Sequence, residues 1–225
     1  MRSVVGVLGE LLITAGLVVG LFAVYTLFWT GVETSREQDV LEREFEAQSQ
    51  PESSSTPDAS GADELPSDAY ARMRIPRLGE SWEWIVVEGV DLNTLTRGPG
   101  HYPESAAPGE TGNFAVAGHR ATYGEPFAYL DQVQAGDEIL VERDGQDFRY
   151  VVTESFITVP SDTDVLLPVP GQPGVDPEIG TVTLTTCNPR WGSTQRLIVH
   201  GALQGSEPVT AQASSTGATD GESTT

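Results

Sequence analysis

Between residues 69 and 204 the chain is a succession of short runs of β-branched and aromatic residues, separated by turns rich in Gly, Pro and Asp. Such runs between turn residues are typical of β-strands. The runs are RMRIPRL, WEWIVVEG, GNFAVAGH, DEILVE, FRYVVTESFITV, TVTLTTC and RLIVHGAL. Two short helical turns are predicted, near residues 91–95 and near residues 126–133, where Pro126 suits a first helical turn. Because closure of a sheet removes its exposed edges, seven or eight strands with so few helices favour an all-β closed barrel over a sandwich.

The N-terminal segment differs in kind, because residues 11–29 run for nineteen residues without a charge. As a helix this run is about 28 Å long, close to the roughly 30 Å hydrocarbon core of a bilayer. A cleaved signal peptide, the alternative, has a shorter apolar region that ends in small residues, whereas this run ends in Phe-Trp-Thr-Gly. We therefore predict a single transmembrane signal anchor at residues 11–30. Residues 1–10 are then cytoplasmic and the remainder extracellular, since long domains cross membranes largely regardless of charge.

Acidic segments flank the predicted domain on both sides. Residues 31–68 form a predicted spacer, in which residues 33–50 carry only a narrow apolar stripe of Val40, Leu41 and Phe45, so a helix there is marginal by itself. Residues 51–68 are acidic and rich in Pro and Ser, which predicts an unfolded linker. Residues 205–225 are equally poor in apolar side chains and are predicted to be a disordered tail.

The composition excludes several functions. The chain has 33 acidic and 12 basic residues, a net charge of −21, and every cation is Arg because Lys is absent. A nucleic-acid partner is excluded, because binding phosphates requires a basic surface. The single cysteine, Cys187, rules out an intramolecular disulfide framework and a zinc site of several cysteines.

Cys187 ends the run TVTLTTC, and Asn-Pro follows, so its sulfur is predicted to lie at the end of a strand. A buried structural thiol is the plain alternative. Arg196 comes nine residues later at the start of the next run, and two antiparallel strands joined by the loop between them bring the two residues side by side. Arg120 and Arg190 are the competing cations, but a guanidinium beside a nucleophile stabilises a developing oxyanion, and we assign that role to Arg196.

A thiol with an ordinary pKa near 8.5 is mostly protonated at neutral pH, so a nucleophilic cysteine needs a base or a cation nearby. The chain offers three histidines. His119 ends a strand run and opens a turn, the same placement as Cys187, and is the predicted base. His101, in a Gly/Pro-rich turn, is predicted to order its loop, and His200 on the last strand is predicted to pack or to face solvent.

Three features together resemble the sortase family. They are Thr-Leu-Thr-Thr-Cys with Arg nine positions after the Cys, a Gly-His-Arg turn some seventy residues earlier, and GPGHYPESAAPGETGN leading into that turn. The resemblance covers roughly residues 69–203 and is greatest to the class E sortases of high-G+C Gram-positive bacteria. It implies an eight-stranded β-barrel cysteine transpeptidase with one or two short helices, on the outer face of the cell membrane.

The resemblance also implies roles and partners. Cys187 would be the nucleophile, His119 the acid/base group and Arg196 the oxyanion ligand. The enzyme would cleave the Thr-Gly bond of a C-terminal sorting signal, of the LPxTG or LAxTG type, in a secreted protein. It would then transfer the acyl group to an amine of the lipid-linked peptidoglycan precursor. A tethered β-barrel binding module with a structural cysteine, and a cysteine peptidase that uses water as the acceptor, are the alternatives.

Further side chains are assigned to the substrate groove by the same resemblance. Residues 160–180, between the sixth and seventh strands, would wall it. The apolar patch of this connection and two residues next to the catalytic pair are candidate lining residues: Val165, Leu166, Leu167, Tyr123 and Thr186, the last through its hydroxyl or its backbone N–H. No cofactor is expected; a calcium site at Asp162 and Asp164 would need further oxygen ligands.

Overall fold

The computed structural model describes residues 2–49 and 68–209, without the side chains of residues 2, 3, 5, 23 and 26–29. In these ranges the chain forms α1 (Arg2–Ser49), β1 (Ala69–Arg74), β2 (Glu83–Glu88), α2 (Leu92–Arg97), β3 (Gly100–His101), β4 (Gly112–Ala117), β5 (Glu138–Arg143), β6 (Gln146–Thr158), β7 (Gly180–Asn188) and β8 (Gln195–Pro208). Short 3₁₀ helices span Pro76–Leu78, Leu130–Gln132 and Asp164–Leu166.

The strands close into a barrel in the order β1-β2-β3-β4-β7-β8-β6-β5, which confirms the predicted all-β barrel. Two neighbouring pairs, β2 with β3 and β4 with β7, run parallel, and the other pairs are antiparallel. The first predicted helical turn is α2, which begins after Asp91, whose side chain accepts hydrogen bonds from two backbone N–H groups of the first turn. The second is the 3₁₀ helix at Leu130–Gln132.

The interior of the barrel is filled by large apolar side chains, among them Tyr150, Phe114, Phe127, Met73, Ile139 and Leu184. Strand β4 is buried at all six positions.

The second half of α1 packs against the outside of β1 and β2. Leu41 and Phe45 form a small buried apolar cluster with residues of both strands, Ala69, Ile85 and Val87. The Gln38 amide donates to the carbonyl oxygens of Ile85 (3.0 Å) and Arg97 (2.8 Å) and accepts from the Ile85 N–H (2.8 Å). The part of the predicted spacer up to Ser49 is therefore a helix docked on the barrel.

Polar contacts extend the same interface. The Arg72 guanidinium of β1 lies over the Phe45 ring, 5.0 Å from its centroid, and near four carboxylates, those of Glu42, Glu46, Glu83 and Glu142. Thr34 is almost completely buried, and its Oγ1 lies within hydrogen-bond distance of the carbonyl oxygens of Thr30 (3.0 Å) and Thr96 (2.8 Å), which share its one hydroxyl proton. Residues 30–49 of α1 are thus tied to the barrel and to α2 by apolar, hydrogen-bonding and ionic contacts.

The first half of α1 exposes large apolar side chains from Val4 to Tyr25. Across residues 2–49 and 68–209, the structure contains no helix long and apolar enough to cross a membrane, so the predicted span at residues 11–30 is without structural support. Residues 51–67 of the predicted linker and residues 210–225 of the predicted tail lie outside the described residues. Residues 205–208, predicted to belong to that tail, instead extend β8 and pair with the start of β6.

Candidate active site

The parallel pairing of β4 with β7 brings His119 level with Cys187. The register runs from Gly112 opposite Gly180 to Ala117 opposite Thr185. Two side-chain contacts continue this register past Ala117 and Thr185, because each joins residues that are also 68 positions apart. They are the hydrogen bond from Thr186 to the Gly118 carbonyl (2.7 Å) and the one from Arg120 to Asn188. His119 and Cys187 lie between these two contacts, at the same end of two neighbouring strands.

The antiparallel pairing of β7 with β8 sets Cys187 directly opposite Arg196. Both side chains are half-buried. Nη1 of Arg196 donates to the carbonyl oxygens of Ser193 (3.1 Å), in the loop that joins the strands, and of Gln195 (3.0 Å), at the start of β8. These bonds hold one end of the guanidinium at the start of β8.

His119 lies where its imidazole is disfavoured as a cation. Burial lowers the pKa of His119 below the ordinary value, because desolvation penalises the charged ring. Its Nε2 is buried without a hydrogen-bond partner among the described residues. The Tyr123 ring lies against the imidazole, with 5.0 Å between the ring centroids. The neutral imidazole that this environment favours is the form that accepts a proton.

The other two histidines are placed elsewhere. His101 is buried on β3, stacked on Tyr70, and its ring nitrogens contact Glu88 (2.8 Å) and Ser105 (3.0 Å). It therefore ties together its own loop and the neighbouring strand. His200 is buried on β8, where burial lowers its pKa and Nδ1 contacts the Thr183 hydroxyl at 2.9 Å.

The competing arginines make other contacts. Arg120 is 6% exposed and binds Asn188 and, at 3.2 Å, Asp131. Arg190 binds Glu125 and lies 5.0 Å from the centroid of the Tyr129 ring. Each of these two guanidinium groups pairs with a carboxylate, whereas the strand register sets Arg196 opposite Cys187.

Two of the predicted lining residues are buried. The Thr186 hydroxyl donates to the Gly118 carbonyl and ties β7 to β4, which leaves the backbone N–H of Thr186 as its predicted donor. Val165, within the connection between β6 and β7, is 7% exposed. Leu166 and Leu167 are half-buried and remain the apolar surface of that connection, while Tyr123 lies beside His119.

A buried polar network, which sequence reasoning missed, holds the β6–β7 connection on the barrel. The Asn113 amide of β4 donates to the carbonyl oxygens of Val165 (3.2 Å) and Leu167 (3.1 Å). Its Oδ1 accepts from the Thr183 hydroxyl (2.7 Å), which in turn contacts His200. The detectable signal is an Asn in the otherwise apolar run GNFAVA, since a buried amide requires partners.

Tyr102 is a second residue that sequence reasoning missed. It directly follows His101 and is half-buried, and burial raises the pKa of its hydroxyl while the nearby Arg196 guanidinium acts in the opposite direction. The tyrosine of the GHYPES turn thus lies within electrostatic reach of the site.

Among the described residues, no group of three or more His, Cys, Asp or Glu side chains is arranged to hold a metal ion.

One end of the closed barrel therefore carries a thiol, an imidazole and a guanidinium. This combination is the one that β-barrel proteins need for acyl transfer through a cysteine. A family model described as the sortase domain matches residues 73–204. The chain therefore belongs to the sortase family, whose members are cysteine transpeptidases.

Individual relatives agree with this assignment. The chain is 35% identical to Sortase SrtE1 of Streptomyces coelicolor over 209 residues, which cover 89% of this chain and 57% of that protein. It is 33% identical to Sortase SrtE2 of the same organism, covering 91% of this chain and 84% of the relative. The structure of sortase E from Streptomyces avermitilis superposes with a TM-score of 0.58 at 43% identity, covering 66% of this chain and 95% of that one. The chain thus corresponds to little more than half the length of SrtE1.

Proposed function

We propose that this protein is a transpeptidase that cleaves the Thr-Gly bond of a C-terminal sorting signal and joins the new carboxyl end to an amine of the peptidoglycan precursor. The observation that carries the proposal is the strand register, which sets Cys187 opposite Arg196 and level with His119. Membership of the sortase family supports the reaction class.

The proposed reaction has two acyl transfers. His119 takes the proton of the Cys187 thiol, the thiolate attacks the Thr carbonyl carbon, and the C–N bond to Gly breaks as His119 gives that proton to the departing amine. The incoming amine then attacks the thioester, loses its proton to His119, and the Cys187 thiolate leaves as the amide forms. Each step develops negative charge on one carbonyl oxygen, which the Arg196 guanidinium stabilises.

The sorting signal is proposed to lie between the β6–β7 connection and the loop after β4. Leu166 and Leu167 offer apolar surface on one side, and Tyr123 offers an aromatic ring on the other. A related structure, Sortase E1 of Streptomyces coelicolor, holds a tripeptide in its active site, which supports a peptide ligand here. The resemblance to class E favours Ala over Pro at the second position of the signal.

We further propose that residues 11–30 anchor the protein in the cell membrane, with the barrel outside the cell. The nineteen uncharged residues and the exposed apolar side chains of this part of α1 support the proposal. An integral protein stays with membranes during alkaline carbonate extraction, and protease added outside intact protoplasts then degrades the barrel. Release of the chain by carbonate would refute the anchor.

Transfer is tested with the full chain in mild detergent, a fluorogenic sorting peptide and triglycine as the acceptor. Wild type is expected to give the triglycine-linked product, identified by its mass, and Cys187→Ala to give none. Equal cleavage by Cys187→Ala would refute the catalytic role of the cysteine. Cleavage without linked product would favour the water-using peptidase, and peptide binding without cleavage would favour the binding module.

A further inference from the structure

Two segments carry the reactive side chains, and each sends an arginine to the other. One is the loop after β4, residues 118–126, which includes His119. The other runs from the end of β7 to the start of β8, residues 187–196, and includes Cys187 and Arg196. Apart from the strand pairing, these two arginine contacts join the segments.

The first contact runs from the histidine side to the cysteine side. Arg120, the residue after His119, donates from Nη1 to Oδ1 of Asn188, the residue after Cys187. Its Nη2 lies 3.2 Å from an oxygen of Asp131, and the side chain is almost completely buried. This contact fixes the strand ends immediately beside the reactive pair.

The second contact runs in the opposite direction. Arg190, three residues after Cys187, binds the Glu125 carboxylate through Nη2. Its guanidinium lies over two aromatic rings, 5.0 Å from the centroid of Tyr129 and 5.6 Å from that of Trp191. Arg190 and Glu125 are 30% and 29% exposed, so substitutions at this pair disturb little buried structure.

The backbone of the loop after β4 shows why the contact between Arg190 and Glu125 matters. Tyr123, Gly124 and Glu125 all have positive φ, at 53°, 72° and 52°, a conformation that non-glycine residues disfavour. A loop built this way keeps its shape only when surrounding contacts hold it. Glu125 is the end of this run and Tyr123, which contacts the His119 ring, is its beginning.

We propose that Glu125 and Arg190 are positioning residues, whose ion pair spans the two segments and keeps His119 at proton-transfer distance from Cys187. The inference rests on the proposed function and goes beyond it, because neither residue contacts the reacting atoms. Displacement of a catalytic group by about 1 Å can cost roughly a hundredfold in rate, so a modest ion pair can have a large effect on turnover.

The test measures kcat and KM for triglycine transfer by the full chain. E125Q and R190Q are expected to lower kcat about tenfold and to change KM less than about twofold. The charge-swapped double variant E125R/R190E restores the ion pair and is expected to recover most of the lost kcat. The matched control is D147N, which breaks the ion pair of Arg74 and Asp147, 35% and 32% exposed, between β1 and the start of β6. It is expected to leave kcat within about twofold of wild type.

Several outcomes would overturn the inference while the proposed function stands. In each of them the wild type is active. In the first, E125Q and R190Q keep the kcat of wild type; in the second, D147N loses as much kcat as they do; in the third, the charge-swapped variant fails to recover the kcat that they lose. Alkylation of Cys187 by iodoacetamide tests the geometry without any sorting peptide, because thiol reactivity depends on the neighbouring imidazole. The E125Q rate is expected to move from that of wild type towards that of His119→Ala, and an unchanged rate would overturn the inference even if wild type proved inactive on peptides.

Discussion

Leu41→Ala should undock the second half of α1 while leaving the barrel folded. Leu41 is fully buried between the helix and strands β1 and β2, in a cluster separate from the barrel core. Truncation of a buried Leu to Ala costs about 2–5 kcal/mol, and a surface-docked helix can relax, so we expect about 2–3 kcal/mol. Because about 1.4 kcal/mol corresponds to a tenfold change, the undocked population should rise by roughly a hundredfold.

Hydrogen–deuterium exchange of peptides from residues 36–48 measures this directly, because exchange through undocking follows the population of the open state. The control is Val40→Ala on the same helix, since Val40 is 40% exposed and its truncation should cost less than about 0.5 kcal/mol. Equal protection of residues 36–48 in Leu41→Ala and wild type would refute the reasoning, as would equal effects of the two substitutions. Loss of protection throughout the barrel would show that the two apolar clusters unfold together.

Further predictions concern three residues, Arg196, His119 and Asn113. Arg196→Ala should lower kcat by about 10²–10³ with the fold retained, and Arg196→Lys should recover little, because an ammonium lacks the fork of a guanidinium; a fully active Lys variant would disprove the oxyanion role. Because burial lowers the pKa of His119, its NMR titration should have a midpoint below about 6.5. The neutral imidazole should contribute its full share to the free energy of unfolding above pH about 6.5, the ordinary pKa, and this share should be lost as the pH falls below that value. His119→Gln should therefore make the free energy of unfolding depend less on pH in the acid range. Asn113→Ala should lower the free energy of unfolding by about 1–3 kcal/mol for each buried partner left unpaired. It should also raise KM for the sorting peptide more than it lowers kcat. An unchanged KM would show that this amide does not shape the groove.

The strands were predictable where side chains alone specify them. Long β-branched runs such as TVTLTTC gave β7, whereas β3 has only two residues, Gly100 and His101, and is too short to leave a pattern. The docking of α1 was not predictable, because its apolar stripe is narrow and its partners, the Ile85 backbone and Arg72, are distant in the chain. Local sequence therefore predicted a marginal helix, and tertiary contacts supply its remaining stability.

The site shows the same division. Strand ends and the antiparallel connection predicted that Cys187 and Arg196 would be neighbours, and the register has them opposite each other. His119 comes level with Cys187 only through the parallel pairing of β4 with β7, continued two residues past Ala117 and Thr185, and no local pattern reveals that pairing. The contacts of Arg190 with Glu125 and of Asn113 with Val165 join residues more than fifty positions apart, so only the folded chain shows them. The catalytic roles themselves remain predictions.

Strand β8 also determines the end of the barrel at which another protein or a tag can be fused. It begins beside Cys187 and continues to Pro208, fourteen residues that span roughly 40 Å if fully extended. Pro208, at the end of β8, therefore lies at the opposite rim of the barrel. An affinity handle or fluorescent protein fused there would be held away from the thiol, so the enzyme can be immobilised by that route with its reactive mouth facing the bulk solution.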